Sequence, residues 1–537
     1  MHSRIATILA SAMALAWVAG PAQGQAPSKP IAASPLAPNT SIHTRPLDLS
    51  EAISLGVQNN LGVEVNRYSP YAAQYESEAA WGAYNPLFEG EIVYGEQTEQ
   101  NALITNAPSE SDQFNGAAAV SALMPYWGGM FTVDFDGGRS HTDFGFESLS
   151  PKYESGLTVG VTAPLLRGLI WNEPWTQVKL SRLGYEAEID DFTTSVMNIV
   201  LSIISDYWVL VADQEKVRVA EKSLESNQAL HEQTKIQYEV GVVSKVEVIQ
   251  AEAGVANSEF NLILARNEYR NSQDRLIASV LGNRLQADTA LQIQPTDNPA
   301  YTRVGAIDLN EAVETAFARR PELASARKQV QQGEVALKFA KNQRLPRFDV
   351  SVRYRTLGTT GQENPEYTPF PGSDPLTNIG GFGDTFDYYY KQGGPRELTA
   401  FGVVSIPIGN TTARKNVSRA KIQLRQAGSL ITQLEQNIIV SVRRAARGLL
   451  ASAQGVEAAE RRRIAAAEQL RAEQIRLEHG ESTPFDVLQR ERDLVDAESQ
   501  KISALQAFRV SQATLQREEG TILSDRNVVI DQVRKLD

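Results

Sequence analysis

The chain contains no cysteine in its 537 residues. This absence excludes disulfide frameworks, thiol catalysis, thiolate metal sites and lipid attachment through an N-terminal cysteine. An excess of basic residues is also missing: the net charge is −12, which argues against broad binding of nucleic acids because such binding needs a basic face. The hydrophobic content of 42% and charged content of 22% are typical of a folded protein.

Long apolar runs and catalytic constellations are missing as well. Beyond the first residues no run reaches the ~18 apolar residues of a membrane-spanning helix. The nearest approach, Ile199–Ala212, is interrupted by Asp206. The five histidines are scattered without metal-ligand spacing, and no phosphate-binding loop or dinucleotide motif is present. We therefore expect no enzyme activity, cofactor or metal, and a closed β-barrel remains as the possible route into a bilayer.

Residues 1–24 have the pattern of a cleaved secretory signal peptide. Arg4 precedes the apolar run Ile5–Ala19, and small residues follow up to Gly24. The alternative is an anchored N-terminal helix, for which the apolar run is short. Residues 25–46 are rich in proline and predict an extended linker.

The rest of the chain is an internal duplication. The stretches Tyr238–Glu252 and Leu477–Glu491 align without gaps at an offset of 239 residues, and each has the pattern of a tight connection between two long helices. Further matches near the start of each half have an offset of 260 residues, from Asp48 to Asp308. We therefore predict a first repeat at 47–285, a linker at 286–306, a second repeat at 307–520 and a C-terminal tail at 521–537.

Each repeat combines strands with one helical hairpin. Alternating apolar residues predict strands within about 87–164 and 348–407, with four core strands per chain: Phe88–Tyr94, Gly156–Ala163, Phe348–Tyr354 and Leu398–Ile406. Residues 95–114 and 137–155 have the composition of polar loops. Gly116–Asp136 is either a periplasmic hairpin or two additional strands. The helical hairpins are expected at about 175–281 and 412–520, and the first long helix approaches ~95 Å, so the molecule is elongated.

The helix tips have clear local chemistry. Gly241 and Gly480 suit the left-handed position that ends a helix. Ser244 with Glu247 and Thr483-Pro484 with Asp486 predict capping boxes at the start of the following helices. Glu247 and Asp486 are therefore helix caps, and they are also candidates to face a lumen or a partner.

Four strands cannot close a membrane barrel, because even the smallest has ~8 strands. Three chains would supply 12 strands. Aromatic residues near the strand ends are candidates for an interfacial girdle, namely Tyr94, Phe131, Phe144, Phe146, Tyr354 and Phe401. The alternative is an ordinary sheet of a soluble protein.

Taken in order, these motifs resemble the TolC-like outer-membrane efflux family, the outer-membrane factors of tripartite export systems. The resemblance spans essentially the whole mature chain. It is carried by the two tips, the repeated openings, the strand entries and the strand exits, which are Leu47–Ala52, Ile307–Ala312, Tyr84-Asn85-Pro86, Leu345-Pro346, Pro164–Gly168 and Pro407–Gly409.

The resemblance implies a mainly α-helical fold with a membrane β segment. Three copies would form an α-barrel of coiled-coil helices continuous with a 12-stranded β-barrel in the outer membrane. The implied function is passive export from the periplasm to the exterior in a tripartite efflux or type I secretion system. The implied partners are a periplasmic adaptor (membrane-fusion) protein, an inner-membrane transporter reached indirectly, and outer-membrane lipid, with no nucleic acid.

The resemblance also assigns roles at the tips. Asp486 stands where the family has an acidic constriction, and the implied periplasmic gate comprises Asp486, Gln489, Glu247 and Gln250. The implied adaptor-contacting residues are Gly241, Val242, Val243, Ser244, Gly480, Glu481, Ser482 and Thr483. Leu477 and Ser482 occupy the positions of a Tyr–Arg latch, so we expect that latch to be missing. The alternative function, a periplasmic coiled-coil adaptor or scaffold without a pore, explains the helices but leaves the strands without a role.

Overall fold

The computed structural model describes residues 43–100, 108–143, 147–282, 291–301, 305–365, 367, 376, 378–391 and 393–529. The first half runs through β1 (His43–Leu47), α1 (Leu49–Asn59), α2 (Leu61–Ala79), β2 (Leu87–Gln100), β3 (Pro108–Leu123), β4 (Met130–Thr142), β5 (Leu149–Pro164), α3 (Glu173–Glu239) and α4 (Lys245–Leu281).

The second half repeats this plan with fewer strands. It runs through β6 (Leu291–Pro295), α5 (Leu309–Arg319), α6 (Pro321–Gln343), β7 (Arg347–Glu363), α7 (Asp384–Lys391), β8 (Arg396–Ser405), α8 (Thr411–Glu478), α9 (Pro484–Glu519) and α10 (Ile522–Asp525). The long helices α3 and α8 have 67 and 68 residues, and their partners α4 and α9 have 37 and 36. The predicted duplication of a helical hairpin is confirmed.

One antiparallel sheet contains six strands in the order β2-β3-β4-β5-β7-β8. The four predicted core strands all lie in it. The open question about Gly116–Asp136 is resolved, because β3 and β4 are two additional strands of the same sheet and not a separate hairpin. The described residues therefore contribute six strands to this sheet, where the sequence predicted a core of four.

The strands are longer than predicted and the loops shorter. Much of the stretches 95–114 and 137–155, which were predicted to be loops, continues the strand ladder, since β2 reaches Gln100 and β4 reaches Thr142. Side chains at these strand ends are polar on both faces, so the apolar alternation that identifies a half-buried strand is lost while the backbone pairing persists.

The predicted linkers also contain structure. Strand β1, in the predicted linker 25–46, pairs in parallel with β6, in the predicted linker 286–306. Leu47 and Ile293 are buried in the main core. The predicted tail contains α10, whose Ile522 is fully buried. Part of each segment predicted as a linker or a tail therefore belongs to the folded structure. The predicted signal peptide lies outside the described residues.

Helix α3 forms the centre of the main hydrophobic core. Its buried residues, which include Val200, Ile203 and Tyr207, pack with residues of α1, α2, α4 and β1. The Tyr207 hydroxyl lies 2.6 Å from the Asp297 carboxylate and 3.1 Å from the carbonyl oxygen of Leu47, and its single proton is shared between these two acceptors. Among the described residues, α3 is also the one helix long and apolar enough to cross a membrane. More than half of that apolar stretch is buried inside the protein, as expected for a core helix.

A buried cluster of ion pairs connects the α5–α6 corner to the second helical hairpin, α8 and α9. Arg320 lies between the two helices, and its side chain is 7% exposed. Its guanidinium donates to Glu322 at 3.0 Å, to Glu518 of α9 at 2.9 Å and to the hydroxyl of Ser441 in α8 at 3.1 Å. Burial raises the pKa of the Glu322 carboxyl, but the hydrogen bonds and charge of Arg320, with the charge of Arg517, outweigh burial and leave that pKa below its usual value.

Candidate functional site: helix tips and sheet faces

Both helical hairpins turn through the same motif. Gly241 has φ of +81°, and the N–H of Val242 donates to the carbonyl of Gln237 at 2.8 Å. The second tip repeats this, with φ of +75° at Gly480 and a matching bond of 2.8 Å from the N–H of Glu481. A left-handed residue after the helix, spanned by this bond, is a Schellman motif. The two predicted tips are thus the same structural element.

The two predicted gate carboxylates cap helices. The N–H of Ser244 donates to Glu247 at 3.2 Å. In the second hairpin, the hydroxyl of Thr483 donates to Asp486 at 2.7 Å, and the Asp486 N–H donates back to that hydroxyl at 3.3 Å. Asp486 is exposed and Glu247 is half-buried. These bonds account for both residues as caps, and their action as a gate stays a prediction, as it does for Gln250 and Gln489.

The two hairpins interlock near their tips. Leu488 of α9 is buried and lies against Gly254 of α4, where a Cβ atom would be 2.7 Å from a Leu488 methyl carbon. A side chain at position 254 would therefore require Leu488 to move. A small apolar cluster surrounds the contact and comprises Leu230, Leu470, Leu477, Val487 and Leu488. The contact places both tips at one end of the molecule.

The latch positions have other partners. Leu477 is 9% exposed and belongs to the apolar cluster between the hairpins. The Ser482 hydroxyl donates to Glu473 at 2.5 Å, within its own hairpin. Neither side chain can supply a Tyr–Arg hydrogen bond, in agreement with the expected absence of the latch.

One face of α4 is apolar and exposed from the tip upwards. Its large side chains, here called the α4 seam, are Val246, Ile249, Phe260 and Ile263. They are between 53% and 65% exposed, and Val240 and Val242 at the adjoining tip are more than 70% exposed. Such a patch marks an interaction surface. The α4 residues that face α3, such as Ala251 and Leu262, are on the opposite side and are buried.

Glu491 is a buried carboxyl between the hairpins. It is 7% exposed, and the hydroxyls of Ser226 and Ser223 in α3 interact with it. Burial, followed by the nearby charge of Glu498, raises the pKa of Glu491. The duplication places Glu252 at the equivalent position of α4, where the side chain is exposed.

The sheet has one apolar and one polar face. Residues directly opposite each other in the ladder share a face. One row across all six strands is apolar and consists of Phe88, Val120, Val133, Val159, Tyr354 and Leu398. The next row, on the other face, consists of Glu89, Ala119, Asp134, Thr158, Arg355 and Glu397. This is the alternation of a strand that separates lipid from water.

A salt bridge crosses the polar face. Arg355 of β7 reaches over β5 and donates to Asp136 of β4 at 3.0 Å. Gly156 lies between them, and a Cβ there would be 2.9 Å from the Asp136 carboxylate. The absence of a side chain on β5 lets the pair form.

The girdle candidates divide between the two faces. Tyr94, Phe131 and Tyr354 lie on the apolar face. Phe401 lies on the polar face, where the Arg353 guanidinium is 5.3 Å from its ring centroid, so it is not positioned to face lipid with the others. Phe144 and Phe146 lie outside the described residues.

A second aromatic cluster, which the sequence did not predict, lies where the sheet meets the helices. Trp175 packs edge-on against Trp81 at 5.8 Å and Tyr126 at 4.8 Å. The Lys179 ammonium is 4.4 Å from the ring centroid of Trp171. Tryptophan, tyrosine and lysine at one level are typical of a membrane–water interface. The sequence signal that could have predicted this cluster is the concentration of tryptophan beside the strand ends.

The sequence profile of the outer membrane efflux protein family matches residues 131–283 and 312–521, which is more than half of the chain. The chain belongs to the outer membrane efflux protein family. It is accordingly an outer-membrane protein with a TolC-like fold. No curated relative matches the chain by sequence.

Solved structures of outer-membrane channels and proteins have the same fold. The outer-membrane channel OprN is 16% identical with a TM-score of 0.61, and the alignment covers 88% of this chain and 89% of that one. The Campylobacter jejuni outer membrane channel CmeC is 14% identical with a TM-score of 0.60 over 88% and 86% of the two chains. VceC from Vibrio cholerae is 13% identical with a TM-score of 0.60 over 88% and 96%.

Among the described residues, no group of three or more histidine, aspartate or glutamate side chains is arranged to hold a metal ion. The polar clusters described above are instead explained by capping, ion pairing and packing.

Proposed function

We propose that this member of the family is one subunit of a trimeric exit duct, through which cargo leaves the periplasm passively in a tripartite efflux or type I secretion system. The observation that carries the proposal is that both the sheet and the helical layer have uncovered edges. Among the described residues the sheet ends in β2 and β8, whose outer edges are unpaired, and the helical layer ends in α4 and α8. Exposed edges and seams of this kind need further copies to cover them.

The duplication indicates how copies meet in the helical layer. Within one chain, α9 of the second hairpin packs against α3 of the first. Because α4 corresponds to α9 and α8 corresponds to α3, the equivalent contact between chains joins α4 of one copy to α8 of the next. This arrangement covers the α4 seam, and three repetitions close a ring of six hairpins. Bulky seam residues such as Phe260 supply the buried apolar area that stabilises the ring.

The tips are proposed to bind a periplasmic adaptor protein, which connects the duct to an inner-membrane transporter. Val240 and Val242 expose apolar side chains there. The turn between the helices is made by backbone hydrogen bonds and does not need these side chains. Burying such side chains at a protein interface is favourable. Asp486 is exposed at the same end, and three copies would place a ring of carboxylates at the entrance.

The alternative of a pore-free periplasmic adaptor accounts poorly for the sheet. An apolar row that crosses six strands, with charged residues on the reverse face, has no role in a scaffold surrounded by water. Outer-membrane localisation also disfavours it.

The proposal is tested by mass and conductance. Detergent-extracted protein is expected to have three times the mass of the mature chain, which is the 58.9 kDa of the full sequence less the cleaved signal peptide, and to conduct ions in planar bilayers. Phe260→Glu in the α4 seam is expected to dissociate the trimer, since it places a charge in the contact. Asn261→Glu is the matched control, because its neighbouring position lies outside the seam. A monomeric wild-type protein in the soluble periplasmic fraction refutes the proposal.

A further inference from the structure

The two halves of the chain differ most in their strands. The helices α1, α2, α3 and α4 correspond to α5, α6, α8 and α9, but among the described residues β3 and β4 have no counterpart between β7 and β8, where the short helix α7 lies. Without them each half would supply two strands and the chain four. The sheet therefore carries an inserted hairpin, and its position decides what three copies can build.

The inserted hairpin is an integral part of the sheet. β3 pairs with β2 from Leu87↔Ser121 to Gln100↔Pro108, and β4 pairs with β5 from Met130↔Thr162 to Ser140↔Lys152. Both inserted strands also follow the division of faces, with Val120 and Val133 in the apolar row. The β3–β4 turn is anchored to the helical side, where Tyr126 packs on Trp175. β2 is thus separated from β5 by two fully paired strands.

The free edges of the sheet are compatible with each other. All neighbouring strands in the order β2-β3-β4-β5-β7-β8 are antiparallel. An even number of alternating strands leaves β2 and β8 running in opposite directions, so β8 of one copy can continue the antiparallel ladder into β2 of the next. Phe88 and Leu398 end the same apolar row, which would then continue around the circumference.

Resting on the proposed trimer, we propose that β8 of each copy pairs with β2 of the next, and that three copies close an 18-stranded barrel in place of the 12-stranded one expected from the resemblance. Barrel diameter grows roughly in proportion to strand number, so the membrane pore is about 1.5-fold wider than a 12-stranded one. Barrels of 16–18 strands leave an aqueous channel. The inserted strand β4 adds Asp134 and Asp136 to the pore wall.

Disulfide trapping in the full-length chain tests the proposal directly, because the natural protein has no cysteine to interfere. The first variant pairs Phe88→Cys with Val120→Cys, on adjacent strands, and is expected to form a disulfide within one chain. The second pairs Phe88→Cys with Val159→Cys. In the six-stranded sheet these positions are three strands apart, about 14 Å, which is beyond disulfide reach. No bond is expected in this second variant.

The contact between copies is tested with a fixed Val403→Cys in β8 and a cysteine placed in turn at each position of β2 from Phe88 to Tyr94. Covalent dimers and trimers are expected for at least one register. An electron cryomicroscopy map of the wild-type trimer is expected to show 18 strands. In a variant in which a four-residue turn replaces residues 101–146, the map is expected to show 12.

The outcomes separate this inference from the proposed function. A conducting trimer in which Phe88→Cys bonds to Val159→Cys, or whose map shows 12 strands in the wild type, overturns the 18-stranded barrel and leaves the duct intact. A complete β2 scan without covalent oligomers in a conducting trimer also overturns it. A monomeric, non-conducting protein refutes both.

Discussion

The buried arginine at the α5–α6 corner provides the sharpest test of what holds the second hairpin in place. In Arg320→Ala the guanidinium is removed, while Glu322 and Glu518 stay largely buried, with side-chain exposures of 19% and 17%. Removing one partner of a buried ion pair costs about 3–5 kcal/mol, because an uncompensated charge is left behind. We expect a loss of that size in the free energy of unfolding.

A surface ion pair serves as the control. Arg266 binds Glu221 at 2.8 Å, but the two side chains are 55% and 47% exposed. Exposed pairs contribute about 0–1 kcal/mol, so Arg266→Ala is expected to change stability little. The assay is denaturant-induced loss of helical circular dichroism at matched protein and detergent concentrations. Equal losses in the two variants would refute the reasoning.

The pKa shift of Glu322 also predicts how the stability difference between wild type and Arg320→Ala changes with pH. The pKa of Glu322 is lowered in the folded protein, so its contribution is present above the unfolded pKa and is lost as pH falls through the folded one. The gap between wild type and Arg320→Ala should therefore narrow on acidification. Arg320→Glu, which would add a third buried carboxylate, is expected to be more damaging than Arg320→Ala. The variant Arg320→Lys keeps the charge but loses the planar fork and should fall between wild type and Arg320→Ala.

Three further predictions concern the helical hairpins. Because the pKa of Glu491 is raised, ionisation of the buried carboxyl destabilises the fold, so Glu491→Gln should stabilise the protein at neutral pH and lose that advantage as pH falls. Asp486→Ala should reduce cation preference in planar bilayers, since a ring of three carboxylates concentrates negative potential. The duplication maps the Glu491–Ser223 contact onto Glu252 of one copy and Arg462 of the next. Each single charge reversal should therefore weaken the trimer, by about 1 kcal/mol per contact, and the double reversal should restore it.

Each of these has a contrary outcome. A stability difference for Glu491→Gln that is independent of pH would remove the titration argument. Unchanged ion selectivity in Asp486→Ala would leave that residue as a helix cap alone. Additive effects of the Glu252 and Arg462 reversals on trimer dissociation would show that the two side chains do not meet.

Local chemistry made the tips predictable. Gly241 and Gly480 have positive φ angles, which favour glycine. The residues after them form capping boxes through hydrogen bonds between residues three positions apart. The long helices were equally clear, because a continuous 3.6-residue period without proline leaves few alternatives. Such features are set by neighbours in sequence, and the duplication supplied each of them twice.

The sheet was harder to predict, since its signal depends on distant partners. β3 is rich in alanine and glycine around Gly116–Ala119, and these residues have low strand propensity. Its place in the sheet therefore depends on its pairing with β2 and β4. Phe401 was assigned to the girdle by residue type and by its position near a strand end, whereas the register with β7 puts it on the polar face. Trp81 and Trp175 are far apart in sequence and are brought together by the fold.

The two tips share a backbone but present different chemistry. The first exposes Val240 and Val242, and the second places His479 and Glu481 at the corresponding positions. In a ring of three chains these surfaces alternate, giving six turns of two kinds. A partner that selects apolar side chains would bind three copies per duct, and a partner that recognises the shared backbone turn would bind six. The stoichiometry of the complex therefore reports which part of the tip is recognised.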